Sequence, residues 1–271
     1  MIWTIIELKN KSKKSAKTKL GKVYLVGSGP GDLGLLTLKG YELLKTADVI
    51  IYDRLVSKTI LKQIPSKTKK LYVGKSTGKH SVPQEKINEL IVKESKQGKK
   101  VVRLKGGDPF IFGRGGEEAQ SLFNASIPFE IVPGISSASA VPAYAGIPLT
   151  HRDYASSAAL VTGHEGWAKK GSQVNWEGLA KAVDTIVVLM GVSNLVSIIE
   201  GISKGGRNED TPVAIIEDGT TRKQRVTVGK LSDIVVKARE RKVEPPAVIV
   251  IGDVVKLRKE LAWLRGSKRE S

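Results

Sequence analysis

From Lys22 onward, short β-branched runs alternate with segments of helical period, and a turn rich in glycine or aspartate follows nearly every run. That alternation is the pattern of parallel α/β architecture; a sandwich would lack the helical segments and a bundle the runs. Strands are predicted at 23–26, 47–52, 70–73, 100–104 and 129–132, with helices at 35–44, 83–95 and 117–123. A second set follows, with strands at 158–162, 185–190, 212–217, 224–228 and 247–251 and helices at 195–204 and 231–241. The helix at 83–95 has the clearest start: Ser81 suits the cap, Pro83 the first turn, and Gln84 stands at capping-box distance.

Residues 133–154, rich in Gly, Ser, Pro and Ala, interrupt the alternation and read as a junction holding one small-residue helix. The expected fold class is α/β, with two α/β domains. The expected division is a basic, disordered arm at 1–20, an N-terminal α/β domain at 21–134, a junction at 135–154, a C-terminal α/β domain at 155–262 and a basic tail at 263–271.

With 40% hydrophobic and 27% charged residues, the chain has ordinary globular composition. Its longest apolar runs are about five residues, against the roughly 20 that a membrane-spanning helix needs. The N-terminus is apolar before it is basic, the reverse of a secretory signal, so a cytoplasmic, non-membrane protein is expected. The absence of cysteine rules out disulfides, thiolate metal sites and a thiol nucleophile. The histidines, His80, His151 and His164, lack metal-ligand spacing, so no metal is expected.

Of the net charge of +18, the first 22 residues carry +6 and residues 256–271 carry +4, leaving +8 on the stretch between them. A basic central region raises the local concentration of anionic partners. RNA is one such partner. Only 5% of residues are aromatic, however, which leaves little for base stacking and argues against nucleic acid.

In open parallel sheets, ligands gather at the carboxyl ends of strands. The residues found there are Gly27-Ser28-Gly29-Pro30-Gly31-Asp32, Asp53-Arg54, Gly74-Lys75, Gly106-Gly107-Asp108-Pro109, Gly163-His164, Met190-Gly191, Asp218-Gly219-Thr220 and Gly252-Asp253. The first loop fails the dinucleotide fingerprint, because Asp32 stands where the third glycine belongs. Pro30 removes an N–H that a pyrophosphate would use, and the acidic turns favour a neutral or cationic ligand. Asp53 directly follows a strand and reads as a general base or cation ligand, or as a helix cap or turn former. Lys75 reads as an anchor or proton donor, or as a surface charge.

Six stretches carry a family resemblance: VYLVGSGPGDLGLLTLKG at 23–40, ADVIIYDRLVS at 47–57, VGKSTGKHSVPQ at 73–84, VRLKGGDPFIFGRGGEE at 102–118, VPGISSASAVPAYAGIPLTHRDY at 132–154 and TPVAIIEDGTTRKQRVTVG at 211–229. In this order, over about residues 20–255, the chain resembles the uroporphyrinogen-III C-methyltransferases of the tetrapyrrole methylase superfamily. The resemblance implies a class III methyltransferase fold with a cofactor cleft between two α/β domains, in a homodimer. It implies methyl transfer from S-adenosyl-L-methionine to carbons 2 and 7 of uroporphyrinogen III, giving precorrin-2 for sirohaem and cobalamin. Carried over by motif, the cofactor contacts are Pro30, Gly106, Gly107, Asp108, Ile111, Ser136, Ser137, Met190 and Gly219. Asp53 and Lys75 fall at the family's proposed proton acceptor and donor, and Arg114 and Arg152 are expected to meet substrate carboxylates. Ser136 and Ser137 stand where the family often has Thr followed by Ser or Ala. Rival readings are a sibling methylase acting on another precorrin, diphthine or ribosomal RNA, and a non-catalytic binding module.

Overall fold

The computed structural model describes residues 20–74, 82–164 and 174–264. The predicted cap at Ser81, the proposed donor Lys75, His80 and nearly all of the basic arm and tail lie outside those residues. Five parallel strands, β1 (Val23–Gly27), β2 (Val49–Tyr52), β3 (Lys69–Tyr72), β4 (Val101–Lys105) and β5 (Phe129–Val132), form a sheet in the order β3-β2-β4-β1-β5. Alternate residues of the central strands face two different cores. Val26, Ile50, Val102 and Leu104 meet helices α1 (Leu38–Thr46) and α2 (Lys58–Leu61) on one side. Leu25, Val49, Ile51 and Val101 meet α3 (Gln84–Lys96) and α4 (Gly115–Asn124) on the other. The chain leaves β1 toward one face and β4 toward the other, so these neighbouring strands form the topological switch point, where an open parallel sheet presents its crevice.

Helix α5 (Ser137–Tyr144) follows β5 and packs its Ala138 and Val141 into the core of the second sheet. That sheet contains β6 (Ala158–Thr162), β7 (Thr185–Leu189), β8 (Pro212–Glu217), β9 (Arg225–Lys230) and β10 (Ala247–Ile251), in the order β6-β7-β10-β8-β9. Helices α6 (Trp176–Ala182), α7 (Leu195–Lys204) and α8 (Ile234–Glu240) cover its other face, and α9 (Arg258–Leu261) lies near the end of the described chain. The second half was expected to repeat the parallel arrangement, but only β6 and β7 pair in parallel. Strand β10 runs antiparallel between β7 and β8, and β8 and β9 are an antiparallel pair. The 218–224 connection is too short for a parallel crossover, which needs a dozen or more residues. The apolar runs hid the strand directions because both faces of the sheet are covered.

Reversal of β10 also corrects the strand-end inventory. Gly163, Met190 and Asp218–Thr220 lie at one end of the second sheet, and Gly252-Asp253 lies at the opposite end. The helix predicted at 35–44 starts later, because Thr37 Oγ1 accepts from the Gly40 N–H and caps α1 there. Pro83 occupies the cap position of α3 without a side-chain bond, and Gln84 reaches Asn88 and Glu118 instead of closing a capping box. Helices α2, α6 and α9, of four to seven residues, escaped the sequence pattern because they span two turns or fewer.

Candidate active site

Three backbones meet at the switch point with no room for side chains. A Cβ on Gly27 would lie 2.5 Å from Gly107 O and 2.6 Å from Gly134 Cα. The loops after β1 and β4 are then tied together by an antiparallel bridge, in which Gly29 N–H donates to Gly107 O (3.2 Å) and Gly107 N–H to Gly29 O (2.8 Å). Gly107 itself has φ +67°, and a Cβ there would meet only Ser137 N, at 3.7 Å. Its side-chain position therefore opens into free space in front of the first turn of α5. Such a cradle lets a ligand approach the backbone closely.

Asp108 builds this cradle rather than projecting from it. Its Oδ1 accepts from the N–H groups of Phe110 (2.7 Å) and Ile111 (3.2 Å), and its Oδ2 from Gly134 N–H (3.0 Å). Asp32 likewise accepts from Gly34 N–H (2.8 Å) and from the Tyr144 hydroxyl (2.9 Å). Both carboxylates bring negative charge to the loops, and both use it locally.

The second sheet closes on the same place. Thr220 Oγ1 accepts from Asp32 N–H (3.3 Å), and a Cβ on Gly31 would lie 3.7 Å from Gly219 O. Gly219 in turn has no space for a side chain, because Val141 of α5 would stand 2.4 Å away. Ser136 caps α5 by accepting from Ala138 N–H (3.2 Å). The segments that carry Pro30, Gly106, Gly107, Asp108, Ile111, Ser136, Ser137 and Gly219 are thus linked by one chain of contacts. Met190 stands at the end of β7, on the same sheet end as Gly219, with φ +56° and its side chain half exposed. Phe112, Arg114, Asp218 and Thr220 also hold positive φ in these strand-end loops. Each such residue costs about 1–3 kcal/mol and persists only where the surrounding structure over-determines it.

Asp53 packs beside the cradle, since Leu55 occupies the space above Gly106. Its Oδ1 accepts from Leu55 N–H (3.1 Å) and its Oδ2 from Arg103 Nη2 (3.3 Å). Of the cap-or-turn reading, the turn holds, through the bond to the Leu55 N–H two residues on, and the cap is corrected: Ser57, not Asp53, caps α2 by accepting from Ile60 N–H. Arg114 is already gripped by Glu117 through two bonds of 2.9 and 2.6 Å, which raise the guanidinium pKa and hold the Glu117 carboxyl low. An incoming carboxylate would have to share that fork. Arg152 sits on a separate exposed turn, closed by backbone bonds between His151 and Ala155. No hydrogen bond among the described residues joins it to the cradle.

Sequence reasoning missed a buried charged cluster behind Asp53, formed by Arg103, Lys105 and Glu118. The signal was present in the β4 sequence VVRLK, where two cations occupy alternate positions of a central strand. It also missed the bonds joining the two halves. Tyr144 O accepts from Gln224 Nε2 (3.1 Å), and Gln224 Oε1 accepts from Thr220 N–H (2.9 Å). Burial and the bond to Asp32 raise the Tyr144 pKa. Among the described residues no group of acidic or histidine side chains could hold a metal ion.

The cradle offers backbone groups at Gly106 and Gly107 and an exposed apolar side chain at Ile111, with the Asp32 and Asp108 carboxylates fixed in its loops. The sequence profile of the tetrapyrrole (corrin/porphyrin) methylases matches residues 22–235. The chain is 56% identical over 237 residues to the S-adenosyl-L-methionine-dependent uroporphyrinogen III methyltransferase of Methanosarcina barkeri, a match covering 88% of this chain and 93% of that one. It is 54% identical over 245 residues to a siroheme synthase of Acinetobacter baylyi, a match covering 90% of this chain but only 53% of the relative. The chain thus spans about half the length of that siroheme synthase. Among solved structures, the uroporphyrin-III C-methyl transferase of Thermus thermophilus complexed with S-adenyl homocysteine aligns with a TM-score of 0.74 at 41% identity, covering 88% of this chain and 94% of that one.

Proposed function

The chain belongs to the tetrapyrrole methylases, and from that premise we propose that it is an S-adenosyl-L-methionine-dependent methyltransferase that methylates carbons 2 and 7 of uroporphyrinogen III to give precorrin-2. The observation that carries this reading is the glycine cradle at the switch point, faced by α5 and closed by Gly219. Pro30, Gly106, Gly107, Asp108, Ile111, Ser136, Ser137, Met190 and Gly219 hold the cofactor, with Asp108 acting through the loop that it pins.

When bound, the cofactor would supply an electrophilic methyl group on a cationic sulfur, which would keep the C–S electron pair as a pyrrole carbon took the methyl. The ring system must then lose a proton, and Asp53, beside the cradle, is the residue to which this reading assigns its acceptance. The protein's main work is alignment: holding both reactants in line supplies about 7–11 kcal/mol of the barrier reduction. Arg114 and Arg152 meet substrate carboxylates, and Lys75 is assigned proton donation by motif position alone.

The same reading makes the enzyme a cytoplasmic homodimer, with catalytic domains at 21–134 and 155–262 around the junction 135–154. No helix of the described residues is long and apolar enough to cross a membrane. The test is to incubate purified protein with methyl-labelled cofactor and either uroporphyrinogen III or ribosomal RNA. Label in the tetrapyrrole alone supports the reading. Label in RNA alone, or none in either, overturns it.

A further inference from the structure

Arg103, Lys105 and Glu118 are only 3%, 4% and 1% exposed, although each carries a formal charge. Residues 103 and 105 lie on the α3/α4 face of β4, at the strand's carboxyl end, and Glu118 reaches them from α4. One carboxylate oxygen, Glu118 Oε1, accepts from Arg103 Nε (2.9 Å), Lys105 Nζ (3.0 Å) and Gln84 Nε2 (3.1 Å). Among the described residues, the buried Oε2 has no partner. Burial and the neighbouring Arg103 cation push the Lys105 pKa down, against the pull of Glu118. Well-packed apolar side chains in such a place are often as stable as a buried ionic group, or more so. Packing therefore does not explain the cluster.

The guanidinium explains it better. Its Nε is held by Glu118, its Nη1 by the main-chain carbonyls of Leu104 (3.0 Å) and Ile51 (3.4 Å), and its Nη2 meets Asp53 Oδ2. Three sides of a planar fork are fixed by the sheet and α4, which leaves it one orientation. Of the four charged side chains in the group, Asp53 alone has substantial exposure, being 26% accessible. We propose that Arg103 is a positioning residue: locked by Glu118 and the backbones of β2 and β4, it fixes the direction of the Asp53 carboxylate toward the substrate. The proposal rests on the methyltransferase reading and on Asp53 as proton acceptor.

A double-mutant cycle tests it. Cofactor affinity, KM and single-turnover rate with uroporphyrinogen III are measured for the wild type, Arg103→Lys, Asp53→Asn and the double variant. Lysine keeps the charge but loses the fork. The expected result is a cooperative melt, cofactor affinity and KM within about threefold of wild type, and a rate at least about tenfold lower. In the Asp53→Asn background the same Arg103 change should alter the rate less than about twofold, because the residue it acts through is already disabled. Multiplicative losses would overturn the proposal, as would a loss expressed in KM or a silent Asp53→Asn. If Arg103→Lys does not fold, Glu118→Gln, which keeps the shape and removes the anchoring charge, takes its place in the same cycle. A folded wild type that methylates no tetrapyrrole would remove the proposed function and this proposal with it, whereas an active wild type with a multiplicative cycle removes the positioning role alone.

Discussion

Gly107 shows how one residue type can be demanded twice. Its φ of +67° is costly for any side chain, and its Cβ direction points into the open cradle. Gly107→Leu is therefore expected to fold, at a cost of about 1–3 kcal/mol for the strained backbone, yet to lose cofactor binding. Calorimetry alongside a thermal melt checks this, and unchanged affinity in a folded variant would refute the assignment. Asp53 is the complementary case, where the backbone is ordinary and the charge matters. Asp53→Asn is expected to bind cofactor normally while turnover falls about 10² to 10⁴-fold, the usual worth of a placed general base. Single-turnover kinetics would show it; a near-wild-type rate would remove Asp53 from the mechanism.

At the scale of elements, the first loop, the junction helix and the β8–β9 turn are joined through Tyr144. Its hydroxyl donates to Asp32, its carbonyl accepts from Gln224, and its ring lies edge-on to Trp263, with centroids 5.2 Å apart. Tyr144→Phe removes only the hydroxyl. A hydrogen bond to a charged group is worth about 1.5–3 kcal/mol, so a melting temperature lower by several degrees is expected, together with weaker cofactor binding. A loss of stability alone would show that the bond supports the fold without shaping the cleft.

Glu130 in β5 pairs with Lys22 (2.6 Å) and with Lys39 of α1, and the two ammonium groups hold its carboxyl down at about 2 against an ordinary 4.5. Because the folded pKa lies below the unfolded one, this stabilisation is fully present above pH 4.5 and is lost as pH falls toward 2. Glu130→Gln should therefore narrow its stability gap from wild type across that interval, as read by denaturant melts. A gap that stays constant with pH would contradict the pairing.

The same elements show how much could be read from the sequence. Strands 129–132, 158–162, 212–217 and 247–251 and helix 195–204 end where predicted, because each is bounded by turn residues. Strand direction in the second sheet was not legible from those runs, although the short 218–224 connection carried the information. The glycine cradle was legible as two loops but not as one site, since its third member, Gly134, follows β5 at the boundary of the expected junction, outside both loops. Arg103 and Glu118 were passed over because single charges on strands and helices usually face water; only the packing of α4 on β4 shows that these are buried.

For the molecule as a whole, the charge distribution and the cleft point the same way. A central region with a net charge of +8 should speed capture of a substrate bearing many carboxylates, and salt should screen that attraction. The catalytic efficiency is expected to fall with ionic strength while turnover at saturation holds. Removing residues 1–19 breaks none of the described contacts, the first of which is Gly21 N–H to Ser95 O (2.8 Å). The shortened protein should keep its saturated rate. The most direct test of the central claim counts methyl groups: wild-type protein, excess S-adenosyl-L-methionine and uroporphyrinogen III are combined without oxygen, and the tetrapyrrole and S-adenosylhomocysteine are quantified by mass spectrometry. Two methyl groups per tetrapyrrole and two S-adenosylhomocysteines per product are predicted. An unmodified tetrapyrrole, with the wild type folded and cofactor bound, would contradict the assignment of this cleft to uroporphyrinogen methylation.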